Sequence, residues 1–136
     1  MALQDAIERL QYHAGATTGI QAAPDNVDLT AGNNDVYALS FARNGEFGTE
    51  AAAQGRDIHN LVTQIVVRGS EILAIEQRAE GILETFVNKL RNDVTLNDKV
   101  TTIVGPITYQ IVREVAQNQT TLTMEIITQV KIRGSY

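Results

Sequence analysis

Residues 70–92 constrain the fold more than any other stretch: one amphipathic helix set between two blocks of β-like sequence. At about 100° per residue, Ile72, Ile75, Ala79, Ile82, Leu83, Phe86 and Leu90 gather into a single apolar stripe. Arg78, Gly81, Thr85, Asn88 and Asn92 fall on the opposite side. Ser70 is the expected N-cap, Glu71 suits the positive end of the helix dipole, and Lys89 and Arg91 suit the negative end. A mid-helix glycine costs about 1 kcal/mol relative to alanine. Gly81 therefore marks either a close approach by a neighbour or a tolerated surface position.

The flanking blocks read as two hairpins. Val36 to Arg43 alternates Tyr37, Leu39 and Phe41 with Ala38, Ser40 and Ala42, a strand with one large-residue face and one small-residue face. Small residues let another layer or subunit approach closely. Arg56 to Arg68 is a longer strand, with Ile58, Val62 and Val66 on one side and Leu61, Ile65 and Val67 on the other. Its second half is apolar on both faces, so both should be covered, by a helix on one and a neighbouring subunit on the other. In residues 121–133, Leu122, Met124, Ile126, Val130 and Ile132 share a face, opposite Thr121, Thr123, Glu125, Gln129, Lys131 and Arg133. Its partner is 107–117. With Asn118 and Gln119 as the turn, Val115 faces Leu122, Ile111 faces Ile126 and Arg113 faces Met124, a register that keeps apolar residues together. Arg113 then snorkels at the edge or meets another chain. Asn118-Gln119-Thr120 also spells a glycosylation triplet, read here only as a turn.

A single α+β domain over residues 1–136 follows, mostly antiparallel, with two hairpins packed against helices in the order α-β-β-α-β-β. Its parts are helix 2–14, loop 15–35, hairpin 36–68 with a long loop 44–55, helix 70–92 and hairpin 107–133. Leu3, Ile7 and Leu10, with Ala6 and Ala14, form the apolar side of the first helix, which Gly15 stops. A helix of two to three turns is marginal alone and has to dock. The loop after it, with Pro24 in the middle, either wraps the surface or orders against a partner; typical connections run about 4–6 residues. The loop 44–55 is also oversized for a hairpin. It places Phe47 between Glu46 and Glu50, flanked by Arg43 and Arg56, and either orders on a partner or tucks Phe47 back on its own domain. After the central helix, 93–99 is turn-like and 100–104 is a short extended piece ended by Gly105-Pro106.

No chemistry-bearing motif emerges. With no cysteine, disulfide scaffolds and thiol catalysis are excluded. A net charge of −5 with scattered Lys and Arg argues against a nucleic-acid surface, which needs a basic face to displace counterions. No run reaches the roughly 18 apolar residues of a membrane span, and the N-terminal residues show no secretory signal. His13 and His59 are too few for a metal site without an acid cluster, and Asp57 with His59 reads as a strand-end surface pair. Neither phosphate-binding glycine loops nor a nucleophile elbow is present, so no catalytic, cofactor-binding or metal residue is assigned. The one carboxylate pattern is Glu76, Glu80 and Glu84 along the flank of the central helix, with no Lys or Arg four residues away. It is either a solvated face, or a row that meets a basic partner or lines an acidic channel.

The N-terminal helix over residues 1–15, the loop containing Gln21 to Asn26, the glycine- and acid-rich hairpin tip, the amphipathic helix and the final strand over 121–134 together resemble a tail terminator protein of long-tailed bacteriophages. The likeness lies in element order and local character across nearly the whole chain, so no single residue's role carries over. It implies a non-enzymatic virion protein of the tail and neck, assembled in the host cytoplasm. Such a protein forms a homo-hexameric ring that caps the tail tube, stops its polymerisation and joins the tail to the head connector. The implied partners are further copies of itself, the tail tube protein and the head-completion or connector protein, with DNA only as cargo through the lumen and no membrane. Arg43, Glu46, Phe47, Glu50 and Arg56 are then interface candidates, and Glu76, Glu80 and Glu84 candidates for the channel or a partner. The competing reading is a small dimeric α+β domain that binds a ligand or acts as an enzyme. A nucleic-acid module ranks third.

Overall fold

The computed structural model describes residues 2–21, 23, 35–48 and 57–132. Helix α1 (Ala2–Gly15) leads into β1 (Val36–Glu46) and β2 (Ile58–Gly69), then α2 (Ile72–Arg91), β3 (Thr102–Ile103), β4 (Thr108–Ala116) and β5 (Gln119–Lys131). The strands form one antiparallel sheet in the order β1-β2-β5, with β3 and β4 lying end to end along the far side of β5. This is the α+β architecture anticipated from periodicity, with the short extended piece expected over 100–104 pairing as β3. Among the described residues, no helix is long and apolar enough to cross a membrane.

Both helices pack on the same sheet face. Leu61, Ile65, Val67, Leu122, Met124, Ile126 and Val130 meet Ile75, Ala79, Ile82, Phe86 and Leu90 of α2 and Ala6, Leu10 and Ala14 of α1 in one core. The stripe on α2 is thus its buried face, except that Ile72 is half exposed because it sits in the first turn. The cap differs as well. Strand β2 stays paired with β5 through Gly69, opposite Thr120, so the chain cannot turn into a helix at Ser70. Glu71 takes the N-cap position instead, with no side-chain cap bond. A Cβ on Gly81 would meet nothing within 4 Å, so it is a tolerated surface glycine.

The small-residue face of β1 is the one that receives α1. Gln11, buried on that helix, donates from Nε2 to the Ala38 carbonyl at 3.0 Å and accepts from Ser40 Oγ at 2.7 Å. Ser40 Oγ also lies 3.0 Å from Thr63 Oγ1. Unmade buried hydrogen bonds are costly, so this polar network fixes where α1 docks as apolar packing alone would not. The start of the long first loop runs back along β1: Gln21 N–H donates to the Val36 carbonyl at 2.9 Å, and its side chain accepts from the Asp35 and Val36 amides.

The turn after α2 anchors both helices. Leu96, Asn97 and Asp98 all have positive φ (47°, 57° and 64°), a region that leucine rarely occupies. The Leu96 side chain is fully buried, and Asp93 Oδ1 accepts from the Asn97 amide at 2.9 Å. Asp93 Oδ2 meanwhile receives Arg9 Nε at 2.9 Å and lies 2.6 Å from His13 Nε2. Burial opposes this carboxylate's charge, but the bonds from His13, Arg9 and the Asn97 amide, with the Arg9 charge, outweigh it and hold the pKa at about 2.

The last hairpin corrects the expected register by two residues. Gln117 and Asn118 form the turn, with φ of 51° and 64°, as a two-residue type I′ connection requires. Ala116 pairs with Gln119, Ile111 with Met124 and Arg113 with Leu122. An even shift leaves every side chain on its expected face.

Candidate functional site

Three surfaces are built on this frame. The first is the end of the β1–β2 hairpin. Strand β1 runs three residues past Arg43, through a bulge between Ala42 and Asn44, which brings Arg43, Glu46 and Phe47 to one end of the sheet. Arg43 is held by Glu125 at 3.0 Å. Asn60 donates to Asn44 at 2.8 Å and accepts from Gln129 at 3.2 Å, and these amides border a cavity of about 390 Å³ with Glu46 and Ile58. Glu50 and Arg56 lie outside the described residues.

Beneath that cavity, on the helix face, the Asp57–His59 pair is not at the surface. Both side chains are buried, with His59 Nε2 and Asp57 Oδ1 2.6 Å apart, and His59 sits on β2 between Gly45 of β1 and Val130 of β5. Gly45 backs onto this imidazole so closely that a Cβ would come within 2.8 Å of the His59 Cα and 2.7 Å of the Ile58 carbonyl. The Phe47 ring rests against His59 with centroids 4.5 Å apart, yet stays 67% exposed. It touches its own domain and still presents most of its surface.

The second surface is the sheet face away from the helices. Val62 and Val66 are buried there, with Tyr37, Leu39, Phe41 and Ile127 half-buried, and no described helix or strand lies over them. The large residues of β1 thus face away from the core. Sequence alternation located both faces but could not say which one the helices would take.

The third surface joins the α2 flank to β4. The acidic row is not uniform, as expected from helix spacing alone. Arg113 reaches across from β4 and grips Glu76 through two of its guanidinium nitrogens, Nε donating to Oε1 and Nη2 to Oε2, the latter at 3.0 Å. Hydrogen bonding to Arg113 lowers the Glu76 pKa, and the same bond, with the charges of Glu76 and Glu80, raises that of Arg113. Glu80 and Glu84 have no ion-pair partner among the described residues. They border a groove of about 380 Å³ whose other walls include Leu83, Val87, Ile107 and Tyr109. Strand β4 itself is bare: Tyr109 is 59% exposed and Val115 68%. This exposure was not read from the sequence, because nothing in the strand's alternation says that α2 stops short of it. The one available signal was Arg113 in the middle of an otherwise apolar face.

Among the described residues, no three His, Asp or Glu side chains gather as a metal-ligand group. Comparison with protein-family models and with curated proteins finds no match for this chain.

Proposed function

We propose that this chain is a ring-forming structural subunit of a long-tailed bacteriophage, a tail terminator that caps the tail tube, halts its growth and joins it to the head connector. The observation that carries the reading is a sheet whose outer face, among the described residues, has no helix over it. A face that buries Val62 and Val66 and half-buries Tyr37, Leu39 and Phe41 suits packing against a neighbouring copy. The resemblance of element order to tail terminators supplies the identity of the assembly. Copies around a closed ring would repeat this contact, with the tail tube and the connector on the two rims. The hairpin end with Arg43, Glu46 and Phe47 would then reach a neighbour or the tube, and DNA would pass as cargo through an acidic lumen.

Native mass measurement tests the proposal. A discrete hexamer, formed alone or on addition of tail tube protein, is expected. A monomer or dimer that persists with tube protein present would overturn it. Replacing Leu39 and Phe41 by lysine should abolish the ring while circular dichroism shows the fold intact.

The second reading, a dimeric ligand-binding α+β domain, draws on the cavity lined by Asn44, Asn60 and Gln129. Those amides already bond to one another, which leaves fewer groups free to orient a ligand.

A further inference from the structure

We propose that the free edge of β4, together with the groove beside α2, is a docking site for an extended segment of another protein. On its groove-facing side, at every second residue, that segment carries apolar residues interspersed with lysine or arginine, and it adds to the sheet as a sixth strand. The inference stands independently of the tail reading.

The backbone supplies the first argument. Strand β4 pairs with β5 and with no other strand among the described residues. In a two-residue hairpin the pair flanking the turn exchanges both backbone bonds, and such pairs alternate along the ladder. Ala116–Gln119 is that flanking pair, so Glu114, Val112, Gln110 and Thr108 bond inward to β5. The amides and carbonyls of Tyr109, Ile111, Arg113 and Val115 consequently point out from the edge. An exposed row of this kind is a template for strand addition.

Side chains supply the second argument. The same four residues project on the α2 side of the sheet, since they pair with Ile126, Met124, Leu122 and Thr120 of that face. Residues of an added strand opposite them share that face and extend over the groove. There the surface offers apolar Leu83, Val87 and Tyr109 beside the carboxylates of Glu80 and Glu84, and the groove's one cation, Arg91, lies toward the C-terminal end of α2, where it donates to Asn88. The Arg113–Glu76 pair ties β4 to α2 one helical turn before Glu80. Apolar side chains suit the groove's floor, and a long cationic side chain suits its rim.

Charge selects the occupant. A second copy of this chain carries a net −5 and would bring acid toward acid, and its edge strand β1 has its one cation, Arg43, tied to Glu125. A partner strand whose groove-facing residues are apolar and basic complements the groove.

The test uses the full chain and a fluorescein-labelled nine-residue peptide with valine and lysine in turn at its odd positions and threonine at its even ones, and a control with glutamate in place of lysine. Anisotropy should show saturable binding of the lysine peptide that weakens with salt, and no binding of the control. Replacing Glu80 and Glu84 by glutamine should weaken it about five- to tenfold, the scale of two rim charge pairs. Hydrogen exchange should slow at the Tyr109, Ile111, Arg113 and Val115 amides on binding. Three outcomes would overturn the proposal: equal binding of both peptides, binding unchanged by E80Q/E84Q, or protection of those amides on concentrating the protein alone, which would assign the edge to a second copy.

Discussion

Asp93 is the residue at which a single charge can be weighed. It ties α1 to the turn after α2 through Arg9 and His13, and it holds that turn's left-handed backbone through the Asn97 amide. Asp93→Asn keeps an acceptor for Asn97 but removes the charge and the oxygen that Arg9 and His13 share. A carboxyl displaced from 3.8 to about 2 on folding corresponds to about 2 kcal/mol of stability, at roughly 1.4 kcal/mol per pH unit. Because the folded value is the lower one, this stability is complete above the unfolded value and is lost as pH falls from about 4 through about 2. Urea unfolding of the native chain and of D93N, from pH 5 down to pH 2, isolates it. Every other carboxylate titrates in both proteins, so the difference between the two curves reports Asp93. The native chain should be more stable by about 2 kcal/mol at pH 5, and the gap should have closed by more than half at pH 2. A gap of equal size at both pH values would refute the electrostatic account and assign the effect to packing. No gap at pH 5 would refute the tie itself.

Three further substitutions test the frame. Gly81→Ala meets open space and removes a mid-helix glycine, so it should raise the stability read by urea unfolding by about 1 kcal/mol. Gly45→Ala forces its new carbon against the Ile58 carbonyl and the His59 ring, and should lower the melting temperature and loosen the Phe47–His59 contact seen by ring-proton NMR. Phe86→Ala empties the largest fully buried position of the core and should cost about 3–5 kcal/mol in the same unfolding assay; a loss under 1 kcal/mol would mean that the core collapses around it.

Several parts of the candidate surfaces were legible before the fold was. The faces of β2 and β5 follow directly from period-two alternation, since a side chain cannot change sides without a register slip. The hairpin register was less legible, because Gln117-Asn118 carries no glycine to mark a type I′ turn; only the backbone angles reveal it. Glu76, Glu80 and Glu84 look equivalent along one helix, yet Arg113 neutralises the first from a strand 37 residues away. Asp57 and His59 looked like a surface pair, since burial at a strand end depends on what folds over it.

What the sequence determined by itself is therefore local and periodic: the long helix with its stripe, the alternating strands, and the small-residue face of β1. These follow from steric and hydrophobic preferences that act within a few residues. Tertiary structure alone decided which sheet face the helices occupy, how far β2 runs before the chain turns at Glu71, and that β4 lies at an edge that α2 meets through the Arg113–Glu76 pair but leaves largely exposed. Each of those outcomes depends on the order of strands in the sheet and on contacts between residues distant along the chain. The helix between the two hairpins supplies the centre of the core, and among the described residues it leaves the outer sheet face and the β4 edge without a helix over them.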